Sequence, residues 1–519
     1  SNTTDTLCLG VGDESKISPL HAILKRTLAG CDKPSQAGGT LVACAVRPSY
    51  TCRTCACNAH GALCSRHLAI QPPMRLDFQN VWLAMPRLQS ELRRVLQSVE
   101  TECWDAWLGK WPLAKRIAIA RSMIEDDVLP GLVKAMVKRE SGHDVPTRAR
   151  LIQMYFNLAT QESFAREFYA MQKACTSLFQ RYLLGHGIRV TFASAMDSVA
   201  LGTWLSDVLT DLPHGAWYHE RDGKNWDSTI SAAHIALKLA VYEAHSSGLR
   251  EFAERCVDVV GSLRSISGVL KYRVRGTTKS GHNDTTLGNS LINAFVTYEA
   301  MVRCGLRGDI IVAGDDLLAV IDTDFELDAL RDCESALGII PVSRKFHHYS
   351  QVSFISGVWF RSGASFLFTP KPGRLLSRLY WTTSPPSRRQ FNDWKYSVFM
   401  GLWPVCRHLP IVRALLFANF VHGRRIPVAK VELYRNDPGV VSNLAVAEDF
   451  LRRYSITPSE VVDAEHHLLL YGASAGILVH PVLTRIVEFD LADCLSRPIE
   501  APTTHRFTPS VYQSVTSAP

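Results

Sequence analysis

Asp315 and Asp316 stand side by side in the middle of an apolar run, IIVAGDDLLAV, over residues 310–320. Burying one ionised carboxylate without a partner is costly, and two neighbours repel each other. Transfer of a phosphoryl or nucleotidyl group is a chemistry that would justify the arrangement. Such a reaction asks a protein chiefly for positioning and for neutralisation of charge on phosphate oxygens. Two divalent cations about 3.5–4 Å apart supply both, and Mg²⁺ takes a few carboxylates plus substrate phosphates rather than a full protein cage. On its own, Gly314-Asp315-Asp316 also reads as an ordinary hairpin turn, where Gly and Asp are favoured.

A third carboxylate comes from ERDGKNWDSTI, with Asp222 at the end of a strand and Asp227 five residues on. Asp227 also suits a helix N-cap. The segment TKSGHNDTTLGNSLINA adds Ser280-Gly281, then Thr285 and Asn289, which share one helix face at i and i+4. Gly281 permits a flexible loop beside a substrate, and Thr285 and Asn289 are suited to bond a sugar hydroxyl. The plain alternative is a capped helix with a polar stripe. Upstream, KAMVKRESGHDVPTRARLIQ concentrates Lys138, Arg148 and Arg150 around a Pro-interrupted basic loop, which by itself also reads as a solvated basic surface.

The elements that must carry these residues follow from periodicity. Residues 91–215 read as mostly helical. AWYHERD reads as a strand and DSTISAAHIALKLAVYEAHSSG as a helix ended by Gly248. TTLGNSLINAFVTYEAMVRCG is a second helix, ended by Gly305. DIIVAGDDLLAVID is a hairpin around the acidic turn, ELDALRDCESALG a helix, and VSFISGVWFRSGASFLFT another hairpin. This order predicts an α+β fold, with helices packed on a small antiparallel sheet. Helices rich in Trp, Leu and Arg follow over 375–495, then a Pro/Ser/Thr-rich tail from Arg497.

With 519 residues, 46% apolar and 20% charged, the chain has the composition of a globular protein of several lobes. Its net charge of +8 suits a polyanionic partner such as nucleic acid. The 14 cysteines are too dispersed for a disulfide scaffold, which predicts mostly reduced thiols. The stretch CRTCACNAHGALCSRH gathers Cys52, Cys55, Cys57, His60, Cys64 and His67, a spacing compatible with a structural zinc site or with a loop of free thiols. No apolar run is long enough for a transmembrane segment. The first residue is Ser, which implies a processed product, a fragment or an engineered form.

In order and spacing, these elements resemble the palm motifs of viral RNA-dependent RNA polymerases of positive-strand RNA viruses. Asp222-x4-Asp227 resembles motif A, Ser280-Gly281-x3-Thr285-x3-Asn289 motif B, and Gly314-Asp315-Asp316 motif C. ALGIIPVSRK is similar to motif D, ending on Lys345, FISGVWF to motif E, and KAMVKRESGHDVPTRARLIQ to motif F, with Lys138, Glu140 and Arg150. The VKxE…RxIQ and TTLGNS forms resemble the tombusvirus-like and nodavirus-like group. Two departures are Ala313 before the glycine, where many relatives carry a polar residue, and His219-Glu220-Arg221 before Asp222, where an apolar strand is usual.

The resemblance implies a right-hand polymerase. It assigns residues 1–215 to an N-terminal extension and fingers, with motif F at about 134–153. Residues 216–248 and 276–360 become palm, 249–275 a fingers insertion, 361–495 thumb and 496–519 a C-terminal tail. Two Mg²⁺ or Mn²⁺ ions would be held by Asp222, Asp315 and Asp316. Asp227 and Asn289, with Thr285, would read the 2′-hydroxyl of an incoming NTP, and Ser280 and Gly281 would belong to the same nucleotide-binding set. Lys138, Arg148 and Arg150 would clamp its triphosphate. Lys345 would protonate or neutralise the leaving pyrophosphate, with Arg344 as the alternative, and Lys371 and Arg374 would lie along the nascent strand. The implied partners are template and nascent RNA, NTPs, other viral replication proteins and, through them, host membranes. The implied setting is a cytoplasmic replication complex or the virion. A reverse transcriptase-like enzyme and an inactive RNA-binding scaffold are the competing readings.

Overall fold

The computed structural model describes residues 5–7, 35–37, 40–52, 55–63, 71–138, 149–212, 215–265, 268–383, 386–426 and 428–491. In chain order, the elements that frame the site are strands β1 (Leu132–Val137), β2 (Leu151–Tyr155), β3 (Tyr182–Gly185), β4 (Ile188–Phe192) and β5 (Trp217–Gly223). Helix α1 (Ala232–His245), strands β6 (Asp258–Ser265) and β7 (Gly268–Arg275), and helix α2 (Thr285–Arg303) follow. Then come β8 (Gly308–Ala313), β9 (Asp316–Ile321), α3 (Leu327–Ala336), β10 (Pro341–Phe346), β11 (Gly357–Ser362) and β12 (Ser365–Pro370).

Six of these strands form one sheet, in the order β10-β5-β9-β8-β4-β3. Five neighbours make five pairs, of which only β8 with β4 is parallel. The sheet is thus larger than expected and mixed. The hairpin β3–β4 falls in a stretch read as helical, because its strands are short and divided by Gly185 and Gly187, both at positive φ.

Period-2 alternation sorts the apolar run into two faces. Ile310, Val312, Leu317, Ala319 and Ile321 pack with the core under α1 and α2. Ile311, Leu318, Val320 and Tyr218 pack with the core that includes β11, β12 and the C-terminal helices. Both faces are covered, so the strands read as near-continuous hydrophobic sequence rather than alternating.

A second sheet orders the strand Asp5–Leu7, then β7, β6, β1 and β2. It brings 258–275 against the two strands that flank the basic loop. Register pairs Leu263 with Ala135 and Ala135 with Gln153.

Helix α1 starts at a reciprocal capping box: Ser231 accepts from the His234 backbone, and the His234 ring bonds back to the Ser231 backbone. It stops at His245, where Ser246 caps the next helix, Ser247–Arg255; Gly248 lies inside that helix rather than ending α1. Helix α2 buries 14 of its 19 residues, as a helix threaded through a core must. Among the described residues, no helix is long and apolar enough to cross a membrane.

Candidate active site

The acidic turn closes the β8–β9 hairpin. Gly314 has φ +66°, a left-handed conformation costly for any side chain but glycine's hydrogen. An added Cβ would meet nothing within 4 Å, so the glycine answers to backbone conformation and not to space. On β9, Asp316 pairs across to Ala313. On the other side, β5 pairs with β9 as far as Arg221 opposite Leu317. The pairing stops there; carried one rung further, the antiparallel register would face Asp222 toward Asp316.

The electrostatics record the crowding. Burial first, then the Asp315 charge, raises the Asp222 carboxyl above its usual range, against Arg221, Arg150 and Arg344. Asp316 is exposed by surface area, yet the protein packed around its carboxyl, and then Asp315, Asp222 and Glu220, push it up to about 7, with Arg374 opposing. Asp222 and Asp316, both raised by the neighbouring Asp315 charge, form with Asp315 a set of hard oxygens suited to a divalent cation. Among the described residues, however, no three His, Cys, Asp or Glu side chains are gathered closely enough to hold a metal ion. The aspartates converge without closing into a cage. Of the proposed zinc ligands, Cys52 and Cys55 are described and belong to no metal-holding group. The side chains of Cys57 and His60, with Cys64 and His67, lie outside the described residues.

The Ser280-Gly281 loop sits against β2. The Gly281 N–H donates to the Gln153 carbonyl at 2.7 Å, and a Cβ on Gly281 would lie 2.8 Å from both that oxygen and the Met154 Cβ. This glycine serves close backbone approach, which corrects its reading as a flexible loop residue. The Ser280 hydroxyl is buried and makes no hydrogen bond among the described residues. Thr285 Oγ1 lies 2.7 Å from the His282 carbonyl and 3.0 Å from that of Lys279, so it also fastens the loop.

Thr278, overlooked in the sequence, joins two of the expected residues. Its N–H donates to the Asp227 carbonyl at 2.8 Å and its hydroxyl to Asn289 Oδ1 at 2.9 Å. At the basic loop, the Lys138 N–H donates to the Arg150 carbonyl at 2.7 Å, and the Arg150 charge is felt at Asp222. Arg148 and Glu140 lie outside the described residues.

Lys345 requires a correction. Asp222 is opposite Val342 on β10, and Lys345 is opposite His219. An offset of three residues along a strand reverses the face. The Lys345 ammonium accordingly meets the Asp324 carboxylate and the Phe325 carbonyl, over the Trp217 ring at 4.6 Å, on the face covered by helices. Arg344, opposite Glu220, stands on the Asp222 face, and its charge acts on Asp222.

Two residues unforeseen in the sequence hold the acidic turn from behind. Ser290 Oγ accepts from the Gly314 N–H at 2.9 Å. Asn293 Nδ2 donates to the carbonyls of Gly314 at 3.0 Å and Asp316 at 3.3 Å. The signal was present: the polar stripe Thr285, Asn289 continues at the same spacing through Asn293 and Thr297.

Residues 162–340, which contain all three aspartates, match the family model described as viral RNA-directed RNA-polymerase. The chain is 25% identical over 233 residues to the genome polyprotein of lettuce mosaic virus (strain E), covering 41% of this chain and 7% of that protein. It is 22% identical over 260 residues to the RNA-directed RNA polymerase of Pothos latent virus, covering 48% of this chain and 35% of the relative. A third similarity, to the RNA-directed RNA polymerase of melon necrotic spot virus, is 25% over 136 residues, 26% of this chain and 16% of the relative. The chain thus spans well under two thirds of each of these relatives. Over the stretch that positions Asp222, Asp315 and Asp316, the chain is similar to the viral RNA-directed RNA polymerases.

Proposed function

We propose that this chain copies viral RNA from an RNA template by nucleotidyl transfer from NTPs, using two Mg²⁺ or Mn²⁺ ions at Asp222, Asp315 and Asp316. The observation that carries the reading is the mutual electrostatic influence of these carboxylates, each from a strand end or turn, inside the family match. When bound, the cations would activate the attacking 3′-hydroxyl and neutralise the leaving oxygen.

The chain's own groups do the rest. Arg150, with Lys138 and Arg148, binds the triphosphate from the fingers side. Asp227 and Asn289, brought together by Thr278, read the ribose with Thr285 and the spare Ser280 hydroxyl. Arg344 neutralises pyrophosphate in place of Lys345; as a guanidinium it stays charged and gives up no proton. The right-hand division keeps its boundaries. The shared sheet of β1, β2, β6 and β7 supports reading the basic loop and 249–275 as one fingers unit. Template and product RNA, other replication proteins and, through them, a host membrane are its partners.

The test is incorporation of labelled NTP by the purified chain on a homopolymeric RNA template, with and without Mg²⁺. Asp315→Ala is expected to lower incorporation by at least about 10³-fold, a loss at the upper end for one electrostatic group in an active site, while template binding survives. Full activity in that variant sinks the metal assignment. Asn289→Ala is expected to erode the preference for ribonucleotides over deoxynucleotides. If the unaltered chain uses deoxynucleotides equally well, the reverse transcriptase reading replaces this one.

A further inference from the structure

His219-Glu220-Arg221 is the stretch of β5 that departs from an apolar strand, and each of its side chains reaches another piece of the site. His219 Nε2 lies 3.3 Å from Glu334 Oε1 on α3. Glu220 accepts from the Ser353 N–H at 3.0 Å and hydroxyl at 3.1 Å, ahead of β11. Arg221, 2% exposed, has Nε 2.9 Å from Glu334 Oε1. Its Nη2 donates to Asn293 Oδ1 at 2.5 Å and to Thr297 Oγ1 at 2.9 Å.

We propose that Arg221 is a positioning residue for the acidic turn: held by Glu334, it orients the Asn293 amide that grips the Gly314 and Asp316 carbonyls. The inference rests on the polymerase reading above and assigns to it a residue outside the matched motif positions.

The chemistry of the donors fixes the arrangement. A guanidinium only donates and a backbone carbonyl only accepts, so a side chain between them must offer an acceptor to one and donors to the other. Asn does this in a single orientation, oxygen toward Arg221 and nitrogen toward the turn. Rotating the amide would set its oxygen against two carbonyl oxygens and its nitrogen against a cation. Asn293 is fully buried, so no water relieves such a mismatch. Arg221 faces away from substrate, since it follows Glu220 and precedes Asp222 on a strand whose side chains alternate. Its grip on the acidic turn therefore passes through Asn293, in addition to the charge it exerts on Asp222. The consequence is mechanical: the residue next to Asp222 sets the place of Asp315 and Asp316, so two distant segments keep one spacing.

Removing Arg221 alone strands the Glu334 carboxylate in the core, so the informative variant is the neutral pair Arg221→Met with Glu334→Gln. Replacing both members of a buried ion pair is often nearly neutral for stability. This variant is expected to melt within a few degrees of the unaltered chain. It is expected to incorporate nucleotide at saturating NTP roughly 10–100-fold more slowly, the scale of a small misplacement of reacting groups, with KM for NTP within about 3-fold. Amide hydrogen exchange supplies a readout independent of activity: the Gly314–Leu317 amides should exchange faster, and those around Gly363 should not. Asn293→Ala, which leaves the ion pair whole, should share both effects and is read in place of the pair if the pair does not fold. An unchanged rate with unchanged exchange in either variant overturns the proposal. If the unaltered chain incorporates nothing, the polymerase reading fails by itself, and the exchange comparison alone decides whether Arg221 positions the turn.

Discussion

Two hairpins in this molecule use the same backbone device to different ends. β8–β9 and β11–β12 are each closed by a two-residue loop whose first member is a glycine at positive φ, +66° at Gly314 and +68° at Gly363. In neither would a Cβ meet an atom within 4 Å. In each, the glycine carbonyl accepts from a side chain: Asn293 Nδ2 at 3.0 Å in the first, Arg361 Nε at 3.2 Å in the second. The difference lies in what stands behind them. Gly314 is gripped at its N–H and its C=O by buried residues of α2, and two aspartates follow it. Gly363 is served by an exposed arginine of its own strand and followed by Ala364 and Ser365. A Gly-containing turn is therefore uninformative by itself. The function lies in the support, which fixes where the carboxylates point.

The sharpest way to break the comparison is to strain both turns equally. Gly314→Ala and Gly363→Ala should each cost about 1–2 kcal/mol of stability, the penalty of a side chain in the left-handed region. Only Gly314→Ala should also lower the rate of nucleotide incorporation, by about 10-fold or more if the aspartates move by a fraction of an ångström. Melting curves and single-nucleotide extension on the two proteins decide it. Equal rate losses would mean that the acidic turn is not specially positioned.

Much of this contrast was legible in the chain. The acidic hairpin, its glycine and the helix that carries Thr285 and Asn289 follow from period and turn chemistry. The pair of strands at 182–192 did not, because each is short and the apolar residues there fit a helical face as well. Lys345 was misplaced for a different reason. Which face of the sheet it meets depends on the β5–β10 register, and a one-residue slip would have reversed the answer. Glu334 was invisible as a site residue: on its own helix it reads as one more polar position, and only its partners across the sheet, Arg221 and His219 among them, explain its burial. Burial alone would raise its carboxyl; the charges of Arg221 and His219 outweigh that and hold it below the usual range. Thr278 lay outside the motif spacing, and its role came from folding the loop back onto Asp227.

A smaller effect separates the two turns by pH. The carboxyl of Asp316 stands at about 7 in the folded chain against 3.8 ordinarily. The folded state therefore holds more protons than the unfolded state between those values, and stability falls as pH rises through that window. Above about pH 7 the full penalty of the charged form is present. Asp316→Asn, without divalent cation, should accordingly melt slightly higher at pH 8, since water at this exposed residue screens much of the effect, and the gain should vanish as pH falls toward 4. Adding Mg²⁺ should shrink the gain by stabilising only the aspartate form. Ala364→Asp, at the exposed loop of the other hairpin, should show no comparable pH-dependent change. A pH-independent difference at Asp316 would mean that the carboxylates do not crowd one another.

The smallest effect is the counterpart of Asn293. Arg361 donates to the Gly363 carbonyl as Asn293 does to that of Gly314, but from an exposed side chain. Water can replace a hydrogen bond at the surface, so the exchange of partners is nearly even there, whereas a buried carbonyl that loses its donor keeps the full cost of desolvation. Arg361→Ala should change stability by less than about 0.5 kcal/mol and leave the incorporation rate and the exchange of the Gly363 amides within error. The Arg361 backbone N–H, which donates to Asp449 at 2.8 Å, is untouched by this substitution and continues to tie the hairpin to the C-terminal helices. A loss as large as that of Asn293→Ala would show that the two carbonyls are equally dependent on their side-chain donors, and that burial is not what distinguishes the turns.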